Sequence, residues 1–121
     1  MTSDGLCPIA AAAKLLGDKW TLIVLRDLAH GACRFKTLEH SGEGISPSIL
    51  TSRLRELEEK GIISRKSFNE IPPRVEYTLT EMGRDVLPVI DALRTYGLHW
   101  CSSTKADVGT DVSARDIARV S

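Results

Sequence analysis

The groups best suited to covalent chemistry in this chain are three thiols, Cys7, Cys33 and Cys101. The thiolate is the reactive form of cysteine, so surroundings that favour negative charge decide which thiol is active. Cys7 stands just before Pro8 and the helical stretch "PIAAAAKLL". Unpaired backbone N–H groups and the helix dipole favour a thiolate there, which predicts a lowered pKa and raised reactivity. The competing reading is a buried, inert side chain, since free cysteine is among the most buried residue types. Cys101 ends a long helical stretch and is a possible partner for Cys7, within or between subunits. Cys33 stands apart from both and can respond alone. An odd count at wide spacing does not suit a structural disulfide framework.

Other chemistries find less support. His30 with Cys33 and His99 with Cys101 have ligand-like gaps, and four such groups would suit zinc if they converged. Nothing in the spacing requires convergence, so no metal site is expected. There is no Cys-x-x-Cys pair, glycine-rich phosphate loop, nucleophile elbow or metalloprotease motif. The expectation is a protein that is not an enzyme and needs no cofactor.

One further stretch has a suggestive composition. "ISPSILTSRLRELEEKG", residues 45–61, sets Ser46, Ser48, Thr51 and Ser52 ahead of a charged second half. Leu50, Leu54 and Leu57 form its apolar stripe, with Ser48, Ser52, Arg55 and Glu59 opposite and Thr51 at the margin. Short hydroxyls at the leading end of a helix let its backbone approach base edges in a major groove, and they can meet phosphates as well. Arg55, one turn later, can reach a guanine edge or a phosphate. Glu58 and Glu59 would be repelled by phosphate, so that end is expected outside the groove. Taken alone, the same helix can be a solvated surface element whose serines merely cap it.

The elements that would position these residues follow from the pattern. Pro8 opens a first helix in which Ile9, Ala12, Ala13 and Leu16 share a face and Gly17 ends it. Asp18 can cap a second helix, "KWTLIVLRDLAHG", apolar most of the way round and expected at the centre of the core. "CRFKTLEHSGEG" allows only a brief helix holding Phe35 and Leu38. Ser46 is a suitable N-cap, Pro47 a suitable first residue and Gly61 a suitable stop for the serine-rich helix. Val75, Tyr77 and Leu79 alternate with Arg74, Glu76 and Thr78, which predicts a strand; Ile62–Phe68 is its partner across an "NEIPP" turn. Thr80 then caps a long helix over 81–100, bent at Pro88. Along it Met82, Val86, Val89, Leu93, Tyr96 and Trp100 recur at steps of four and three, a heptad-like stripe broader than one domain needs. That predicts a helix for dimerisation. "DVSARDIARV" in the extension 101–121 could form a short docking helix.

The fold expected is mainly α with a small β-hairpin: a winged helix-turn-helix with an additional long C-terminal dimerisation helix, all in a single domain over 1–121. The chain has 121 residues, 42% of them hydrophobic and 26% charged, within the range of one soluble globular domain. With neither a membrane-length apolar run nor a signal-peptide pattern, a cytoplasmic location and no membrane partner are expected. Sixteen basic residues balance sixteen acidic ones. Net charge therefore gives no support to nucleic-acid binding, and any basic surface must be made by placement. Residues 45–74 carry a basic excess of two and residues 75–121 a deficit of two.

"CPIAAAAKLLGDKWTLIVLRDLAHGACRFKTLE", "GISPSILTSRLRELEEKGII" and "PPRVEYTLTEMGRDVLPVIDAL" resemble the HxlR family of bacterial winged-helix transcription regulators, related to MarR. The likeness runs from about Cys7 to Trp100. It implies a homodimer whose two wing domains bind double-stranded operator DNA at an inverted repeat, with the reading helices about one DNA turn, roughly 34 Å, apart. It carries a backbone or minor-groove role to Lys66, Asn69 and Arg74 around the hairpin turn, although Glu70 is awkward there. Arg34 and Lys36, near the start of the brief third helix, are weaker phosphate contacts. Family members that sense oxidants or electrophiles resemble this sequence in a cysteine at the Cys-Pro position. The expectation is a repressor whose DNA affinity responds to an oxidant, a quinone or another small effector, through Cys7 and possibly Cys101. Two alternatives stay open: a ligand-gated regulator with inert cysteines, and a winged-helix protein-interaction module that does not read DNA, which the balanced charge favours.

Overall fold

The computed structural model describes residues 7–31, 33–41 and 43–101. The "DVSARDIARV" segment lies outside the described residues. The elements run α1 (Pro8–Leu16), α2 (Lys19–Leu28), α3 (Phe35–Glu39), α4 (Pro47–Glu59), β1 (Ile63–Phe68), β2 (Arg74–Leu79), α5 (Glu81–Arg84) and α6 (Leu87–Trp100). Helix-turn-helix followed by a two-stranded hairpin is the winged-helix order. No described helix is long and apolar enough to cross a membrane.

Local chemistry explains most of the boundaries. Asp18 caps α2, its carboxylate accepting from the Thr21 amide at 3.1 Å. Ser46 caps α4 by accepting from the Ile49 amide at 3.2 Å, and Pro47 occupies the first turn, where no donor is needed. Gly61 follows α4 with φ of 80°, a left-handed conformation that glycine adopts without a Cβ penalty. Thr80 joins two elements: its hydroxyl donates to the Gly61 carbonyl at 2.6 Å and accepts from the Gly83 amide at 3.2 Å, capping α5.

β1 and β2 pair antiparallel, with Ile63 opposite Leu79 and Phe68 opposite Arg74. Cys33 adds a short bridge to this ribbon, exchanging backbone hydrogen bonds with Tyr77 at 3.0 and 2.8 Å. The ribbon is thereby tied to the segment between α2 and α3.

The chain divides into two compact units, Met1–Leu87 and Pro88–Ser121. In the first unit the core is built from Val24, Leu25 and Leu28 of α2, Leu38 of α3, Ile45, Leu50, Leu54 and Leu57 of α4, and Ile62, Ile63 and Val86. The expected apolar stripe of α4 is therefore its buried face. α2 contributes Thr21, Val24, Leu25 and Leu28, but Trp20, Leu22 and Ile23 are only half-buried, so it is less enclosed than its composition suggests. No residue of α1 is buried.

The long helix expected over 81–100 is helical at both ends but interrupted at Asp85–Val86. A proline has no N–H for the carbonyl four residues earlier, and its ring crowds that carbonyl. For Pro88 that carbonyl belongs to Arg84, the last residue of α5. The distortion expected at Pro88 thus falls one turn upstream, and Pro88 itself sits in the tolerant first turn of α6.

The interruption also divides the heptad-like stripe. Met82 lies on α5, and Val86, in the break, is 9% exposed and part of the core. Val86, expected on the dimer stripe, is thus covered within the single chain. Val89, Leu93, Tyr96 and Trp100 continue along α6 with exposures of 45, 48, 50 and 36%, an apolar row left open in the single chain.

Candidate nucleic-acid interface

α4 presents two polar stripes beside its buried leucines. Ser48, Ser52 and Arg55 follow one another at helical spacing on its outer side, all exposed. Thr51, Arg55 and Glu58 form the second stripe, which lines an open cleft together with Phe35, Leu54, Arg65 and Tyr77. Arg55 belongs to both stripes and has no carboxylate partner among the described residues. The structure thus gathers Ser48, Thr51, Ser52 and Arg55 on one exposed end of α4, next to the root of the wing.

Not all the hydroxyls are equally free. The Ser46 oxygen is engaged in capping, although its proton remains available to donate. The Ser52 oxygen accepts from Arg53 Nη1 at 3.3 Å. Ser48 and Thr51 make no side-chain hydrogen bond among the described residues.

Arg53, one residue from this face, points the other way. Its Nε donates to Asp18 Oδ2 at 2.8 Å and its Nη2 to Asp18 Oδ1 at 3.4 Å. One carboxylate therefore caps α2 and anchors α4. The Arg53 hydrogen bond holds the Asp18 carboxyl below its ordinary value, and the same bond raises the arginine.

On the wing, Arg74 is held by its neighbours. Its guanidinium bonds Glu70 at 2.7 Å and Glu76 at 2.8 Å, and stacks on the Phe68 ring at 3.9 Å. Two carboxylates and a ring take up the charge that was expected to meet a phosphate. Strand alternation sets Lys66 on the same face, its ammonium 5.4 Å from the centre of the Phe68 ring. Lys66 and Asn69 are exposed, and Ile71 at the turn is fully so. Arg34, the N-cap residue of α3, and Lys36 are exposed on either side of the cleft residue Phe35 in the sequence.

Sequence reasoning missed Arg65. Alternation from the buried Ile63 sets Arg65 on the inner face of β1, opposite Tyr77 and toward α4. A charged residue two positions after a core isoleucine was the available signal.

The thiols divide by surroundings. Cys7 is exposed at the N-cap of α1, where its carbonyl accepts from the Ala11 amide at 2.9 Å. Cys33 is half-buried, its thiol directed at the Asp27 and Gly31 carbonyls at 3.7 and 3.6 Å. Burial, with the Asp27 charge, pushes the Cys33 thiol up, so its thiolate is disfavoured. Cys101 is half-buried directly after α6. Among the described residues, no three His, Cys, Asp or Glu side chains gather as a metal site would need.

The architecture has relatives. A profile of HxlR-like helix-turn-helix proteins matches residues 15–105. The chain is similar to an HTH-type transcriptional regulator of Synechocystis sp., 46% identical over 95 residues, a match covering 78% of this chain and 70% of that protein. It is also similar to the solved structure of a transcriptional regulator of the MarR family from Porphyromonas gingivalis W83, with a TM-score of 0.74 and 37% identity over 81% of this chain and 96% of that one. The redox regulator HypR in its oxidized form superposes with a TM-score of 0.72 and 35% identity, covering 75% of this chain and 94% of that one. With a helix-turn-helix, a wing and this match over most of its length, the chain belongs to the HxlR-like helix-turn-helix family of DNA-binding transcriptional regulators, which are not enzymes.

Proposed function

We propose that the protein is a homodimeric repressor that binds an inverted repeat in double-stranded operator DNA and releases it when Cys7 is oxidised or modified by an electrophile. The observation that carries the DNA reading is the exposed end of α4, where Ser48, Thr51, Ser52 and Arg55 stand together beside the wing. Short side chains there let the helix backbone lie deep in a major groove. Ser46 donates at the leading edge. Lys66 and Asn69 on the wing, with Arg34 and Lys36 at the start of α3, supply backbone contacts. Arg74 stiffens the wing rather than touching DNA.

Pairing is supported by the open row Val89, Leu93, Tyr96 and Trp100 on α6, with Met82 on α5 as a further apolar contact. The uncovered α1 adds Ile9, which is 79% exposed. Apolar rows of this kind are costly in water and mark protein interfaces. Each chain supplies one winged-helix domain to the dimer.

Thiol control is supported by the exposure of Cys7 and by the likeness to a protein described as a redox regulator. Cys101 is the second thiol of the proposed response. Modification at Cys7 would shift α1 and, through the dimer helices, the spacing of the two reading helices.

The test uses a duplex from the region upstream of the protein's own gene. Affinity should fall steeply between about 50 and 200 mM salt, and Arg55→Ala should flatten that slope. Failure to bind at low salt would sink the DNA reading. A quinone or diamide should release the duplex from the unmodified protein but not from Cys7→Ser. Equal release from both would transfer control to another thiol or to a bound effector.

A further inference from the structure

We propose that Arg55 and Arg65 form a two-arginine clamp that grips a single DNA backbone phosphate in the cleft between α4 and the wing. This rests on the DNA reading above and names what occupies one part of that interface.

Three observations converge. First, Arg55 and Arg65 come from different elements, a helix and a strand, yet line the same cleft. Second, both are exposed, and neither has an ion-pair partner among the described residues, whereas Arg26, Arg53, Arg74 and Arg94 all do. Two like charges facing one cleft repel each other, so leaving both unpaired is unfavourable unless an anion is shared between them. Third, the cleft has the rest of an anion site. The Thr51 hydroxyl supplies a further donor, and Phe35, Leu54 and Tyr77 form an apolar wall that strengthens charge-assisted hydrogen bonds. One carboxylate, Glu58, also lines it. Two guanidiniums against one carboxylate leave a net positive charge.

The size and shape suit a phosphate. The cleft holds about 260 Å³, room for a phosphate group and several waters at about 30 Å³ each. It is open to solvent, so a DNA strand can reach it. Guanidinium forks match phosphate oxygens in pairs, which a single lysine would not do. The clamp also ties the reading helix to the wing, since one phosphate bound by both elements sets the distance between them. Arg55 and Thr51 are thereby assigned to the backbone, and base reading falls to Ser48 and Ser52.

The experiment is a phosphate-by-phosphate neutralisation. A duplex from the protein's own upstream region is prepared with one neutral methylphosphonate at each backbone position in turn. Affinities are measured for the unmodified protein, Arg65→Ala, Arg55→Ala and Arg65→Lys. Arg65→Ala should weaken binding about tenfold on both the upstream duplex and an unrelated duplex, and lower the salt slope by about one. One methylphosphonate position should weaken the unmodified protein by a larger factor, and the same position should cost less in either alanine variant, each of which keeps one arginine on it. Arg65→Lys should fall between.

The clamp is overturned if Arg65→Ala binds like the unmodified protein, if it loses affinity for the upstream duplex only, or if the two alanine variants single out different phosphates. Arg65→Lys keeps the charge and the long stem, and each variant's thermal unfolding is compared with that of the unmodified protein, so a loss that comes from misfolding is told apart from loss of the clamp. If the unmodified protein binds neither duplex, the DNA reading itself fails, which is a different outcome from loss of the clamp alone.

Discussion

Arg53 on α4 and Asp18 at the head of α2 are 35 residues apart and joined by two hydrogen bonds, the shorter at 2.8 Å. Asp18 simultaneously caps α2. The start of α2 and the middle of α4 therefore share one carboxylate, which anchors α4 to α2.

A pH-dependent stability follows from that pair. The Asp18 carboxyl is held below its ordinary value of 3.8, so it contributes stability above that pH and loses it as pH falls through the lowered folded value. Asp18→Asn keeps a good N-cap but removes the charge. With the Asp18 side chain 42% exposed, the substitution should cost only about 0.5–1 kcal/mol at pH 7. The gap to the unmodified protein should close as pH falls below 3.8 and through the lowered folded value. Urea unfolding across that range checks it; a gap independent of pH would mean that the ion pair contributes nothing.

Gly83 makes a close approach. A Cβ built there lies 2.2 Å from the Ile62 carbonyl oxygen. That contact is backbone and cannot swing aside. Gly83→Ala should therefore destabilise by about 2 kcal/mol, in the range of overpacking strain. Denaturant midpoints would show it, and a neutral result would mean that α5 shifts freely on the β1 start.

The wing carries a charge lock. Glu70 and Glu76 hold Arg74 on the Phe68 ring. Glu70→Gln removes a carboxylate from the turn and loosens Arg74, so binding to any duplex should tighten a few-fold, more at low salt than at high. Arg74→Ala should weaken binding less than Arg55→Ala does. Anisotropy titrations at two salt concentrations separate these; an Arg74→Ala loss as large as that of Arg55→Ala would put Arg74 on the DNA.

Thiol reactivity should follow the surroundings. Cys7 is exposed, while Cys33 is half-buried with its thiolate disfavoured by burial and by Asp27. At neutral pH, alkylation timed by mass spectrometry should modify Cys7 well before Cys33. Labelling of Cys33 first would contradict the environment described for it.

Elements whose signals lie within a few residues were legible in the sequence. Asp18, Ser46 and Thr80 are caps three residues from the amides they serve, and Pro47 and Gly61 mark the ends of α4 through backbone geometry alone. The hairpin was legible from alternation, and the leucine stripe of α4 from helical spacing. The exposed end of α4 followed directly, because the face opposite a buried stripe must meet solvent or a partner.

What the tertiary structure alone decided concerns side chains whose partners lie far along the chain. Arg53, Arg55 and Arg74 look alike as basic residues; the fold pairs Arg53 with Asp18, locks Arg74 between Glu70 and Glu76 and gives Arg55 no carboxylate partner among the described residues. Arg65 became part of the interface only when β1 was laid beside α4, and Cys33 became half-buried only when it bridged to Tyr77. Val86 joined the core because Pro88 interrupts the helix one turn upstream of itself. Caps and periodicities act through backbone geometry within a turn or two, and so can be read in sequence. The availability of a charge or a thiol depends on which distant carboxylate, ring or strand folding brings within a few ångströms.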